Sequence, residues 1–165
     1  ATGGIIKRKT IELLPIIYGG TNEMNMRAGL QSLPAQVAFK EAIADILTNF
    51  DHNQMIINQN KDYLRSTLIK NPKIIFNCNS ESNVLSITLK CDKNSQDVLD
   101  YLFTKEFILS AKSADSSGLK TYSRSLQAIG LTHDEIDHSF RISFSHLTKL
   151  THTKQLVAEI ENIVS

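Results

Sequence analysis

The sequence predicts an α+β fold, with a mixed or antiparallel sheet and helices on one face. Three observations carry that expectation. Between Leu33 and Pro72, apolar residues recur at helical spacing: Val37, Ala38, Ala42, Ile46 and Phe50, then Met55, Ile56, Tyr63, Leu64 and Leu68. After Pro72 the pattern changes to short β-rich runs at Lys73–Cys78, Val84–Lys90, Phe107–Ser110 and Ser139–Ser145. Helical stretches separate these runs, giving the order strand, strand, helix, strand, loop, short helices, strand, helix.

Composition sets the frame. A chain of 165 residues suits one domain or a little more, and can bury a core without staples. With 41% hydrophobic and 21% charged residues it belongs to the globular class. A net charge of +1 gives no electrostatic case for nucleic acid or an acidic membrane. Cys78 and Cys91 show neither metal nor disulfide spacing, so a reduced, cytoplasmic chain is the default expectation. No apolar run approaches the length of a bilayer span, and the start lacks a signal-peptide pattern. Ala1-Thr2-Gly3-Gly4 leads straight into Ile5-Ile6 and Lys7-Arg8-Lys9, without Met or a capping residue. It reads as the middle of a longer chain, although a trimmed tag or processed terminus would look the same.

The elements follow in order. Ile5–Lys9 is a short strand. Ile11–Tyr18 is a second, and Pro15 assigns it to an edge or an extended segment. Gly19-Gly20-Thr21-Asn22 is a flexible turn; its backbone N–H groups could cradle a phosphate, but a plain tight turn fits equally. Leu33-Pro34 opens a helix, because proline is tolerated in a first turn. The apolar stripe then runs to Asn71-Pro72, as one long helix or as two with a break near Asp51-His52. A domain boundary falls inside it, dividing residues 1–50 from 51–165. Ser95 caps a helix to Lys105 with Val98, Leu99 and Leu102 inward. Tyr122–Ala128 is a short helix ended by Gly130. Thr132 with Glu135 is a capping box. In the last β-run Phe140, Ile142 and Phe144 alternate with Ser139, Arg141 and Ser143. Thr151 or Thr153 caps a final helix carrying Leu156, Ile160 and Ile163.

Few residues stand out for chemistry. The stretch Phe107–Gly118 is an apolar run opening into a Ser/Ala/Asp loop, either a rigid mount for a reactive side chain or a solvated connection. Asp115 within it is a general base, a helix cap or a solvated loop residue. Arg141 lies in an apolar strand, yet its own face holds only Ser139 and Ser143. A guanidinium so placed suits a bidentate carboxylate; a solvent-facing residue or a structural ion pair is the plainer reading. Arg27 faces the same site, an oligomer interface or solvent. His52, His133, His138, His146 and His152 show no metal-ligand spacing with each other or with a cysteine.

Taken together, five segments resemble the cysteine desulfurases, NifS-like PLP enzymes of the class V aminotransferase group and fold type I. They are Gly19-Gly20-Thr21-Asn22-Glu23 with Arg27-Ala28-Gly29, Asn83-Val84-Leu85-Ser86-Ile87, Ser110–Gly118, Ala128-Ile129-Gly130-Leu131, and Phe140-Arg141-Ile142-Ser143-Phe144. They come in the family's order with nearly its spacings. The resemblance implies a C-terminal fragment. Residues 1–50 would end the large cofactor domain, with two short strands and a helix, and 51–165 would be the small C-terminal domain. The family's Schiff-base lysine, the aspartate on the pyridine nitrogen and the stacking histidine would lie upstream of Ala1. Pyridoxal phosphate is thus expected in the intact parent and not for this chain alone.

The resemblance also assigns residues. Arg141 matches the arginine that binds the substrate α-carboxylate. Asp115 stands at the position of the nucleophilic cysteine, and a carboxylate cannot hold a persulfide. Leu30 stands where the family has a threonine that contacts the cofactor phosphate of the neighbouring subunit. Lys112 replaces a loop glycine. The expectation is a desulfurase-like protein, inactive alone, that forms no persulfide, with thiol-free chemistry such as transamination or elimination left open. The alternative is a non-catalytic scaffold that keeps the fold for dimerisation or for docking a sulfur-acceptor or iron–sulfur assembly partner. The partners implied are the missing N-terminal large domain and a second copy in a homodimer.

Overall fold

The computed structural model describes residues 3–79, 81–111 and 122–165. The chain divides into two compact units, Ala1–Phe50 and Asp51–Ser165.

The first unit contains a single helix among its described residues, α1 (Leu33–Thr48). Pro34 sits in its first turn, where no intrahelical N–H is needed. Asn49 ends it: the backbone N–H bonds the Asp45 carbonyl and the side-chain amide bonds the Asp45 carboxylate at 2.9 Å. The break between the two predicted helical stretches therefore falls at Asn49, not at Asp51-His52. The two strands expected at Ile5–Lys9 and Ile11–Tyr18 do not form. A strand needs a hydrogen-bonded neighbour. Here residues 11–18 find one parallel bridge, Ile17 to Arg27, and residues 5–9 find none among the described residues. Glycine is required at Gly29, with φ +102°, where a Cβ would come within 2.8 Å of the Arg27 guanidinium. That guanidinium donates to the Ala28 carbonyl at 2.8 Å.

The second unit is α+β. Its elements are α2 (Phe50–Leu68, entering from the first unit), β1 (Ile74–Phe76), β2 (Val84–Leu89), α3 (Ser95–Thr104), α4 (Arg124–Ala128), α5 (His133–Asp137), β3 (Ser139–Ser143) and α6 (Leu150–Val164). The sheet is wholly antiparallel, in the order β1-β2-β3. Register sets Ile87 between Phe76 and Phe140, and Leu85 against Ile142. These residues, with Ile74 and Leu89, form the apolar face. Leu64 and Leu68 of α2, Val98 and Leu102 of α3, and Leu156, Val157, Ile160 and Val164 of α6 complete the core against it. Burial at the hydrophobic-effect scale, about 2 kcal/mol per large side chain, makes this cluster the main stabilising term.

Three local expectations change. Phe107–Ser110 is not a third strand: only Ser110 pairs, in an antiparallel bridge to Arg141. The run is extended, with Phe107, Leu109 and Ala111 against the core while Ile108 is 83% exposed, so packing and not a ladder holds it. The N-cap of α3 is Asn94, whose side chain accepts from the Gln96 and Asp97 N–H groups, and Ser95 is buried inside the helix. Neither Thr151 nor Thr153 caps α6, which starts after Lys149. Thr153 is buried and donates to Asn60 Oδ1 of α2 at 2.6 Å. The capping box at Thr132 forms in full. No helix among the described residues is long and apolar enough to cross a membrane.

Candidate functional site

The site is built on β3. Phe140 and Ile142 point into the core, so strand alternation turns Arg141 to the opposite face. Arg141 is exposed there and lines a cleft of about 630 Å³ with Asn94, Ser95, Gln96, Leu99, Ser110, Ala111 and Asp137. Its backbone N–H donates to the Ser110 carbonyl at 2.7 Å, and its carbonyl accepts from the Ser110 N–H at 3.4 Å. The root of the Ser/Ala/Asp loop therefore lies against the arginine.

The cleft draws on three elements. The first turn of α3 contributes Asn94, Ser95 and Gln96; α5 contributes Asp137; the residues before the loop contribute Ser110 and Ala111. Among the described residues its charged side chains are Arg141 and Asp137. The sequence drew attention to Arg141 but not to Asp137 or the α3 turn. Asp137 ends a five-residue helix two positions before the sheet-facing Ser139, a link visible only in three dimensions.

Across the polar face, next to Arg141, lies a lattice of neutral groups. The polar atoms of Asn77, Ser86, Thr88 and Ser139 approach one another at 2.7 to 3.2 Å. Thr88 and Ser139 are buried, and the lattice ends on the Glu135 carbonyl, 2.6 Å from Ser139 Oγ.

Asp115 and Lys112 lie outside the described residues. Leu30 is 96% exposed in the first unit. Arg27 is committed to the Ala28 carbonyl. Among the described residues no group of three His, Cys, Asp or Glu converges as a metal site. Nor do the described residues fit pyridoxal phosphate. No lysine lines the cleft, buried Lys61 donates to the Glu81 and Ser82 carbonyls, and Leu30 has no hydroxyl for a phosphate.

No family model matches the chain. It is 24% identical over 165 residues to "Cysteine desulfurase IscS" of Methanosarcina thermophila, covering 98% of this chain and 41% of that protein. It superposes on a NifS-like protein from Rickettsia africae ESF-5 with a TM-score of 0.77 and 24% identity, over 93% of this chain and 40% of that one. A second NifS-like structure gives a TM-score of 0.76 at 19% identity, over 94% and 40%. The chain thus spans about two fifths of the length of these relatives.

Proposed function

We propose that this chain, which is similar to the C-terminal part of the cysteine desulfurases, supplies the carboxylate-binding wall of an amino-acid site in a PLP-dependent protein. The observation that carries the reading is the Arg141–Ser110 pair, which sets a guanidinium and the root of the central loop in one cleft. A fork of five N–H donors suits a planar carboxylate, and the small neighbours leave it room. On this reading residues 1–50 end the cofactor domain, and the lysine that anchors the cofactor comes from a polypeptide corresponding to the rest of the relatives. The described residues do not fit the cofactor, so the part this chain plays is to bind and orient the amino acid. Asp115 at the nucleophile position removes the persulfide route, since sulfur transfer needs a thiolate. Chemistry on the amino acid that needs no thiol is what remains.

The test uses the protein completed by its lysine-bearing portion. Pyridoxal phosphate is titrated, then L-alanine or L-cysteine is added. A visible-absorbance change with alanine, weakened in Arg141→Lys, and no sulfide from cysteine is the expected result. Sulfide release from the unaltered protein would sink the assignment of Asp115.

A second reading, a scaffold without catalysis, has one observation in its favour. The described α1 buries none of its residues, and Ile5, Ile6, Leu14, Ile16, Tyr18 and Leu30 are exposed as well. Such a surface suits a polypeptide partner, including a second copy in a homodimer or a sulfur-acceptor protein. Stable dimerisation together with no spectral response to pyridoxal phosphate would favour it.

A further inference from the structure

We propose that Ser86 and Asn77 are positioning residues for Arg141, with Asn77 fixing the Ser86 hydroxyl so that it presents only lone pairs to the guanidinium. The inference rests on the reading of Arg141 as a carboxylate site, but its geometry is independent of that reading.

The ladder places Ser86 first. Leu89 N–H donates to the His138 carbonyl, and Phe144 N–H donates to the Asn83 carbonyl. In this register those are hydrogen-bonded pairs, and they alternate with close pairs that exchange no ladder bonds. Ser86 opposite Arg141 is one of the close pairs. Their Cα atoms are thus about 4.5 Å apart, with both side chains on the polar face. The same alternation sends the backbone N–H and C=O of Arg141 away from β2, where they meet Ser110. On its other edge Ser86 accepts the Asn77 N–H at 2.9 Å. Asn77, Ser86, Arg141 and Ser110 therefore form one row across the sheet.

The proton count then fixes Asn77. Thr88 Oγ1 lies 2.7 Å from Asn77 Oδ1 and 2.7 Å from Ser139 Oγ, and Ser139 Oγ lies 2.6 Å from the Glu135 carbonyl. These three contacts hold two hydroxyl protons, because the carbonyl oxygens carry none. One contact would be two oxygens with no proton between them. Turning the carboxamide by a half rotation removes the conflict, since the amide N and O positions exchange. Asn77 Nδ2 then donates to Thr88, Thr88 to Ser139, and Ser139 to the Glu135 carbonyl. Ser86, 2.9 Å from the other amide atom, donates its proton to Asn77 Oδ1. The 3.2 Å approach to Ser139 is the only contact left without a proton, and it is the longest of the set.

The consequence reaches the cleft. With its proton committed to Asn77, Ser86 is an acceptor only toward Arg141, which is a donor only. A guanidinium N–H that turns toward β2 therefore meets an acceptor at Ser86, and the remaining donors address the cleft and the other groups around Arg141. A Ser86 proton pointed the other way would repel the guanidinium instead.

The test is nuclear magnetic resonance on the 165-residue chain. The Asn77 side-chain amide protons are expected to show close contact with Thr88; contact with Ser86 Hβ in place of Thr88 would overturn the orientation. Hydrogen exchange of Arg141 Nε–H is expected to rise about tenfold in Ser86→Ala, the scale of one lost hydrogen bond, and to return in Ser86→Thr. An unchanged rate in Ser86→Ala would overturn the positioning role. Titration with L-alanine is the separate arm. If it leaves the Arg141 Nε–H resonance unmoved while the other results hold, the carboxylate reading fails and the lattice stands.

Discussion

Replacing Asn60 by alanine should be among the most damaging polar substitutions in the second unit. Asn60 is 1% exposed. Its Nδ2 donates to the Ile56 carbonyl at 2.9 Å and to the Thr148 carbonyl at 3.1 Å, and its Oδ1 accepts from Thr153 at 2.6 Å. It thereby ties α2 to the entry of α6, the helix that closes the core over β3. Asn60→Ala leaves the Thr148 carbonyl and the buried Thr153 hydroxyl without these partners. Each orphaned group costs about 1–3 kcal/mol, so the expected loss is about 3 kcal/mol. That is a large part of a stability of about 5–15 kcal/mol. With a urea slope of about 2 kcal/mol/M, the midpoint should fall by about 1.5 M. Asn60→Leu combined with Thr153→Val removes both ends of the inter-helix pair and should recover about 1 kcal/mol or more relative to Asn60→Ala. A midpoint shift under about 0.5 M for Asn60→Ala, with no gain in the double variant, would refute the reasoning.

The other expected outcomes are shorter. Arg141→Lys should weaken carboxylate binding by about 10- to 100-fold by losing bidentate geometry, with little change in melting temperature because the side chain is exposed; a titration and a thermal scan together check it. The Thr132 backbone N–H, and next its hydroxyl, hold the Glu135 carboxyl below its ordinary range. Its contribution is therefore present above about pH 4.3 and lost as pH falls through the lowered value; carboxyl carbon shifts should track it, and Thr132→Ala should raise it. The hydrogen bond to Glu159, then burial, then the Glu159 charge, raise Tyr101 above its ordinary value. That contribution is full below about pH 10 and lost as pH rises through the raised value; tyrosinate absorbance in the unaltered chain and in Glu159→Ala should separate by that shift.

What the sequence makes legible is what local chemistry determines. Thr132 and Glu135 form their capping box because all the atoms involved lie within four residues. The alternation in β2 and β3 gives the right face to each side chain, Arg141 included, because burial of Phe140 and Ile142 permits no other register. Expectations that depend on distant partners fare worse. Ile11–Tyr18 is rich in β-formers, yet β structure belongs to a pair of segments and the described residues offer a single bridge. Asn94 and Ser95 are adjacent good caps, and the choice falls on the residue whose neighbour must be buried. Thr153 looks like a cap but faces Asn60, 93 positions away. The cleft around Arg141 was half legible for the same reason: its strand position follows from alternation, whereas Asn94, Gln96 and Asp137 arrive from α3 and α5 through the fold.

On the proposed reading, Arg141 also suggests how a site of this kind could change its chemistry without losing its frame. Among the described residues three features hold it, and two of them use no side chain of the loop. Phe140 and Ile142 anchor it through the core, and its own backbone pairs with the backbone of Ser110. On the proposed reading, a carboxylate at Asp115, where the resemblance places a thiol, belongs to neither of these two attachments, while it takes the thiolate out of the loop. The third hold, through Ser86 and Asn77, is made of side chains and is the one a substitution can loosen. Selection on binding a carboxylate would act on that row, and selection on sulfur transfer would act on the loop. On the proposed reading the two functions are mechanically separable, because carboxylate binding would be written in β2 and β3 and sulfur transfer in the segment between α3 and α4.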